Sequence, residues 1–144
     1  MSASPLAARR DLLALVLDTL VPAGDGFPGG SVALDHVLAR AAASADVASM
    51  LERALQAIDD AAGAFARIGA DDRERALTRV EEAHAALFDA LVRHTYDGYY
   101  SHPAVLGQLG IEPGPVQPRG HRIETAELPD LGRVVARGPL YRPA

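Results

Sequence analysis

The sequence has no cysteine and no lysine, and all 14 of its basic residues are arginines. Lacking cysteine, the chain forms no disulfide, thiolate nucleophile, Cys-ligated iron–sulfur cluster or CxxCH haem attachment. Any electron transfer it takes part in must be carried by another group. The arginines are scattered rather than clustered, and the net charge is -5 with a pI near 5.4, so there is no basic field for nucleic acid. No apolar run reaches the roughly 18 to 20 residues that a membrane span requires, so no membrane insertion is expected. There is no GxSxG nucleophile motif and no Walker lysine.

What is present is a helical pattern. The 144 residues fit a single domain, long enough to bury about two thirds of its unfolded surface. Arg9-Arg10 ahead of Leu12 to Leu17 has the look of a twin-arginine export signal, but Asp18 and Pro22 interrupt the apolar run and no small-residue cleavage site follows. The segment is read as a helix with Ser4 as cap, Pro5 in its first turn and Leu6, Leu13, Val16, Leu17 and Leu20 along one stripe. A cytoplasmic protein is expected. Val21 to Gly30 carries two prolines and four glycines and reads as a loop; with neither a preceding strand nor a Walker lysine it is a plain turn rather than a phosphate cradle. Ser31 is expected to cap a short helix running to Arg40 or slightly beyond.

The clearest periodicity is Val47, Leu51, Ala54, Ile58, Ala61, Phe65 and Ile68, a seam at steps of four and three ended by Gly69. Asp71 to Glu74 supplies a capping box. Leu77, Val80, His84, Leu87, Phe88, Leu91 and Thr95 then continue one face, as one helix from Asp72 to about Tyr99 or as two with a kink near Glu81 to Ala83. Pro103 to Gly110 has proline at its start and glycine at its end, the mark of a short helix. Beyond it Pro113, Pro115 and Pro118, with Gly114 and Gly120, impose an extended course, and Val134 to Ala136 reads as a brief strand. The fold class is therefore all-α: a small antiparallel bundle of four to six helices over residues 1–110, followed by an extended Pro/Gly-rich tail over 111–144.

Chemistry concentrates at His94 to Pro103, which holds three of the four tyrosines and two of the five histidines. Tyr96, Tyr99 and Tyr100, three and four residues apart, share a helix side and serve either to close the bundle or to meet a partner. His94, His102 and His121 form a conceivable metal site, but they lack the short helix-registered spacing of zinc ligands. His84 falls on an apolar face and reads as a hydrogen-bonded core or boundary residue. Asp59-Asp60, Asp71-Asp72 and Glu81-Glu82 read as solvated or capping pairs, leaving no catalytic constellation.

Two stretches resemble one known family. Arg10 to Pro22, read as Arg-x-Leu-Leu-x-Leu-x-Leu-Asp-Thr-Leu-Val-Pro, is similar to the opening helix of the gluconate 2-dehydrogenase subunit 3 family, which ends in an Asp-Thr-aliphatic-aliphatic-Pro turn. Phe88-x-x-Leu91-x-x-x-Thr95-x-x-Gly98-Tyr99-Tyr100-x-x-Pro103 resembles a second segment of that family, and the likeness covers roughly residues 6–110. After Pro103, Ala104 to Leu109 stand where Gly-Gly-Asn and Trp elements often follow. The resemblance implies a non-catalytic helical subunit that supports the folding, stability or assembly of a large flavin-dependent sugar or alcohol dehydrogenase of the glucose–methanol–choline type. It places FAD and the catalytic residues in that partner, with no cofactor or metal in this chain. The interface candidates are Tyr96, Gly98, Tyr99, Tyr100, His102 and Pro103, together with Pro113, Pro115, Pro118, Arg119, His121, Arg137 and Tyr141 of the tail. The alternative is a stand-alone metal- or ligand-binding helical protein using His94, His102 and His121.

Overall fold

A computed structural model describes residues 5–112 and 132–138. The fold is all-α, with no strand among the described residues. Helices α1 (Pro5–Ala8), α2 (Arg10–Leu20), α3 (Leu34–Ala43), α4 (Ala45–Ala62), α5 (Ala70–Ala83), α6 (Ala85–Tyr99) and α7 (Pro103–Gln108) belong to one compact unit, residues 1–113. A separate unit, 114–144, contains α8 (Gly132–Arg137), so the strand expected at Val134 to Ala136 is instead a helical turn and a half. Gly138, at φ 72°, follows it in the left-handed conformation that closes helices. The extended course expected for residues 113–131 lies outside the described residues. No described helix is long and apolar enough to cross a membrane.

Helix α4 is the spine, packing against α3, α5 and α6. Ser44 caps it by accepting from Val47 N at 3.4 Å, and Leu51, Ala54, Leu55 and Ile58 are buried on its inner face. Full burial of each large aliphatic side chain is worth about 1.5–3 kcal/mol. The helix stops at Gly63, six residues before the expected Gly69, because Gly63 enters the left-handed region at φ 66° and its N–H bonds back to Asp60 O. The apolar seam continues past this break. Asp59 accepts from Phe65 N at 3.0 Å, which turns the Phe65 ring into the core as part of a 3₁₀ turn over Phe65–Arg67.

Helix α5 opens at Ala70 without the expected capping box. Gly69 precedes it and no side chain caps it, while Asp72 binds Arg75 at 2.8 Å instead. Asp71 and Asp72 still lie in the first turn, where the helix dipole favours negative charge. The stretch from Asp72 to Tyr99 is two helices, broken at His84, whose φ of -140° lies outside the helical range. His84 is exposed at that break and is not the boundary residue its periodicity implied. The N-terminal stripe is likewise two helices: Leu6 and Leu13 are both buried, but the path bends at Arg9, whose Nη2 reaches Asp59 at 3.1 Å. Ser4, the expected cap, lies outside the described residues.

Candidate functional site

Helix α2 ends at Leu20 ahead of Pro22, and the chain returns through a loop that packs on the helix it has just left. Asp18 accepts from Ser31 N at 2.8 Å, so the expected roles are reversed: Asp18 caps the 3₁₀ turn Gly30–Ala33 that leads into α3, and Ser31 is the residue capped. Gly30 packs directly on the Leu17 carbonyl, with no room for a Cβ, and its N–H donates to Val21 O at 2.8 Å. Gly24, Gly26 and Gly29 have the G-x-G-x-x-G spacing, but the loop follows a helix rather than a strand. The amides of Gly24, Phe27, Gly30 and Ser31 serve the chain itself. Gly24 and Phe27 bond to each other across Asp25 and Gly26, both at positive φ, the pairing favoured by an Asp-Gly turn. With Asp18 beside Gly29, the loop offers no seat for a phosphate.

The stretch from Thr95 to Pro103 meets this loop from the other side. Gly98 on α6 lies where α6 crosses the start of α3; a Cβ there would stand 2.9 Å from both Ala33 Cβ and His36 Cβ. The next residue, Tyr99, is only 5% exposed and its hydroxyl donates to Pro28 O at 2.9 Å. Burial, and after it the neighbouring Tyr100, push the Tyr99 phenol above its ordinary range, so it remains a donor. Thr95 is buried and bonds to Leu91 O at 2.7 Å, and Pro103 starts α7. Gly98 and Tyr99 are therefore core residues, and the surface of this corner falls to Tyr96 and Tyr100, which are 46% and 54% exposed.

Those two rings are not loose. Tyr100 packs edge-to-face on Tyr99 at 5.3 Å and on Tyr96 at 5.8 Å between centroids, so the buried ring orders the exposed pair. Tyr96, Asp97, Tyr100 and Ser101 on one side and His36 and Arg40 of α3 on the other line a shallow groove of about 580 Å³. Arg40 is exposed and makes no ion pair or hydrogen bond among the described residues, in contrast to Arg9, Arg10 and Arg75. Beside the groove His94 is 8% exposed, and its Nδ1 has no hydrogen-bond partner among the described residues. Burial lowers its pKa below the usual 6.5, Arg40, Arg93 and His36 push it the same way, and Asp97 opposes them. A larger hollow of about 650 Å³ lies between α4 and the α5–α6 break, with Ala57, Ala61, Val80 and Leu87 among its lining residues.

The remaining predicted residues separate by place. His102 caps α7 through Nδ1, which accepts from Ala104 N at 3.3 Å, so one of its two ring nitrogens is engaged by the fold. Among the described residues no group of three or more His, Cys, Asp or Glu is placed to hold a metal. Pro103 and Arg137 are exposed. Pro113, Pro115, Pro118, Arg119, His121 and Tyr141 lie outside the described residues. The groove pair His36 and Arg40 carried a signal the sequence reading passed over, an i, i+4 spacing of two basic groups on one helix face. The chain matches no protein-family model, no curated protein and no solved structure.

Proposed function

We propose that the chain is a non-catalytic small subunit of a heteromeric FAD-dependent sugar or alcohol dehydrogenase of the glucose–methanol–choline type, acting in the folding, stability or assembly of the large subunit. The observation that carries the reading is the meeting of its two resembling stretches. Asp18 and the glycines behind Pro22 hold one side of the Pro28–Ala33 segment, Gly98 and Tyr99 hold the other, and the Tyr96–Tyr100 pair is left facing solvent. Exposed, pre-ordered tyrosines are the kind of anchor that protein interfaces favour. The flavin and the reacting residues belong to the partner in this reading, and the tail from Ile111 onward, with its prolines, lies along the partner's surface. A compact unit that ends at Pro113 favours a bundle that folds without that tail.

The test is co-expression with the flavoprotein of a neighbouring gene, followed by size-exclusion chromatography and dehydrogenase assay. One co-eluting peak, and a flavoprotein that loses yield or activity when expressed alone, are expected. Two separate peaks together with full flavoprotein activity in the absence of this chain overturn the reading. A truncation after Gly110 should keep its helical circular dichroism and lose the complex.

A further inference from the structure

We propose that the groove between His36–Arg40 and Tyr96–Tyr100 is the seat for a carboxylate that a partner chain presents beside an aromatic ring, an inference that rests on the subunit reading above.

At Gly98 α6 lies so close to the Ala33 and His36 side chains that no Cβ fits between them, and beside this crossing runs the groove, walled by side chains of α3 and of the end of α6. One wall is basic: His36 and Arg40 stand one turn apart on α3, and Arg40 has its guanidinium donors uncommitted among the described residues. A guanidinium matches a carboxylate through two parallel N–H···O bonds, which makes arginine rather than lysine suited to the task. The other wall is aromatic. Tyr96 and Tyr100 form an edge-to-face pair anchored on buried Tyr99, so their faces and hydroxyls are held ready without an ordering cost.

A second observation points to the same spot. His94 is buried with a ring nitrogen unpartnered among the described residues, and it interacts electrostatically with Asp97, Arg40 and His36, three of the groove's lining residues. An incoming anion compensates the basic groups on this side, while Asp97 at the rim disfavours a bare, highly charged anion. That combination favours a single carboxylate attached to a flat apolar group, as in an acidic residue next to an aromatic one on a partner's surface segment.

Two measurements test this on the full chain. In the first, amide and side-chain NMR signals are followed as benzoate, its neutral analogue benzamide, or inorganic phosphate is added. Benzoate should shift the signals of Arg40, Tyr96 and Tyr100 saturably, benzamide and phosphate should not, and Arg40→Gln should weaken benzoate binding on the order of tenfold with the rest of the spectrum unchanged. In the second, the partner flavoprotein is co-purified with wild type, Arg40→Glu, and the exposed control Arg67→Glu. Arg40→Glu alone should weaken the complex tenfold or more.

Absence of any benzoate shift overturns the proposal, as does phosphate binding equal to benzoate, which leaves the aromatic wall without a role. Benzoate binding combined with a full-strength Arg40→Glu complex overturns the partner segment as the source of the carboxylate and leaves the subunit reading standing. If the wild-type chain forms no complex at all, the subunit reading fails, and the partner source fails with it.

Discussion

The Tyr99 hydroxyl donates to the Pro28 carbonyl at 2.9 Å across 71 residues of sequence, tying the end of α6 to the loop that precedes α3. The bond satisfies an otherwise buried phenol and holds the ring against which Tyr100 stacks. Tyr99→Phe removes only this bond. It should lower stability by about 1 kcal/mol in urea unfolding, with the slope unchanged, because a hydrogen bond of this kind nets about 0.5–1.5 kcal/mol. An unchanged midpoint would show that water replaces the Pro28 contact without loss.

The crossing at Gly98 is the second constraint. A methyl group there meets Ala33 Cβ and His36 Cβ at 2.9 Å, closer than real side-chain carbons come. Gly98→Ala should therefore cost roughly 1–3 kcal/mol through overpacking. Ala33→Gly in the same chain removes one of the two clashing carbons, so the double variant should lie above the sum of the single effects in a thermodynamic cycle. Strict additivity would place the cost of Gly98→Ala elsewhere than in this crossing.

Much of the bundle was legible because helices declare themselves locally. The seam from Leu51 to Ile58 and the proline that opens α7 each depend on residues within two turns of one another. The end of α4 was misread for a physical reason: Phe65 keeps the apolar rhythm although the backbone has left the helix, so periodicity alone runs past Gly63. Asp18 as the cap of Ser31, and Tyr99 as the clamp on Pro28, depend on segments distant in the chain, and nothing local announces them. The candidate groove divides the same way. The pairs His36–Arg40 and Tyr96–Tyr100 are each readable as i, i+4 faces, whereas their juxtaposition is set by the helix crossing at Gly98.

The joint after α4 stores strain. Ala64 sits at φ 117°, ψ 81°, a region an L side chain rarely adopts, directly after the left-handed Gly63. The geometry is held by Ala64 N bonding to Asp59 O and by the Asp59 carboxylate, which accepts from Phe65 N and Arg9. Ala64→Gly should relieve a cost on the order of 1 kcal/mol and raise the melting temperature, although the added freedom of the unfolded chain offsets part of the gain. Gly63→Ala should move it down. A lower melting temperature for Ala64→Gly would mean that the alanine methyl contributes more by packing than its backbone costs.

The interface reading separates from the stability effects at the exposed rings. Tyr96 and Tyr100 are half-exposed and make no hydrogen bond through their hydroxyls among the described residues, so Tyr96→Ser with Tyr100→Ser should leave the helical circular dichroism intact. The same double change should weaken co-elution with the flavoprotein on the order of a thousandfold if the rings act as interface anchors, since such anchors cost about 2 kcal/mol or more each when truncated. Undiminished co-elution would remove the tyrosine face from the interface.

The last prediction concerns acid. His94 is buried, and burial is the main cause that holds its pKa below 6.5, with Arg40, Arg93 and His36 adding to the effect and Asp97 opposing it. In the unfolded chain the imidazole takes up its proton near pH 6.5, while in the folded chain it resists until the pH is lower. Between those two values the unfolded state binds more protons, so stability falls as pH drops through that window and levels off below the folded pKa. Above pH 6.5 both states are neutral at this site and it contributes no slope. His94→Leu keeps an apolar side chain of similar bulk and removes the titration, so the difference in unfolding free energy between wild type and variant should change across this window and be flat above it. Parallel pH profiles for the two proteins would show that His94 titrates alike in both states, and that its buried nitrogen finds a partner in solution.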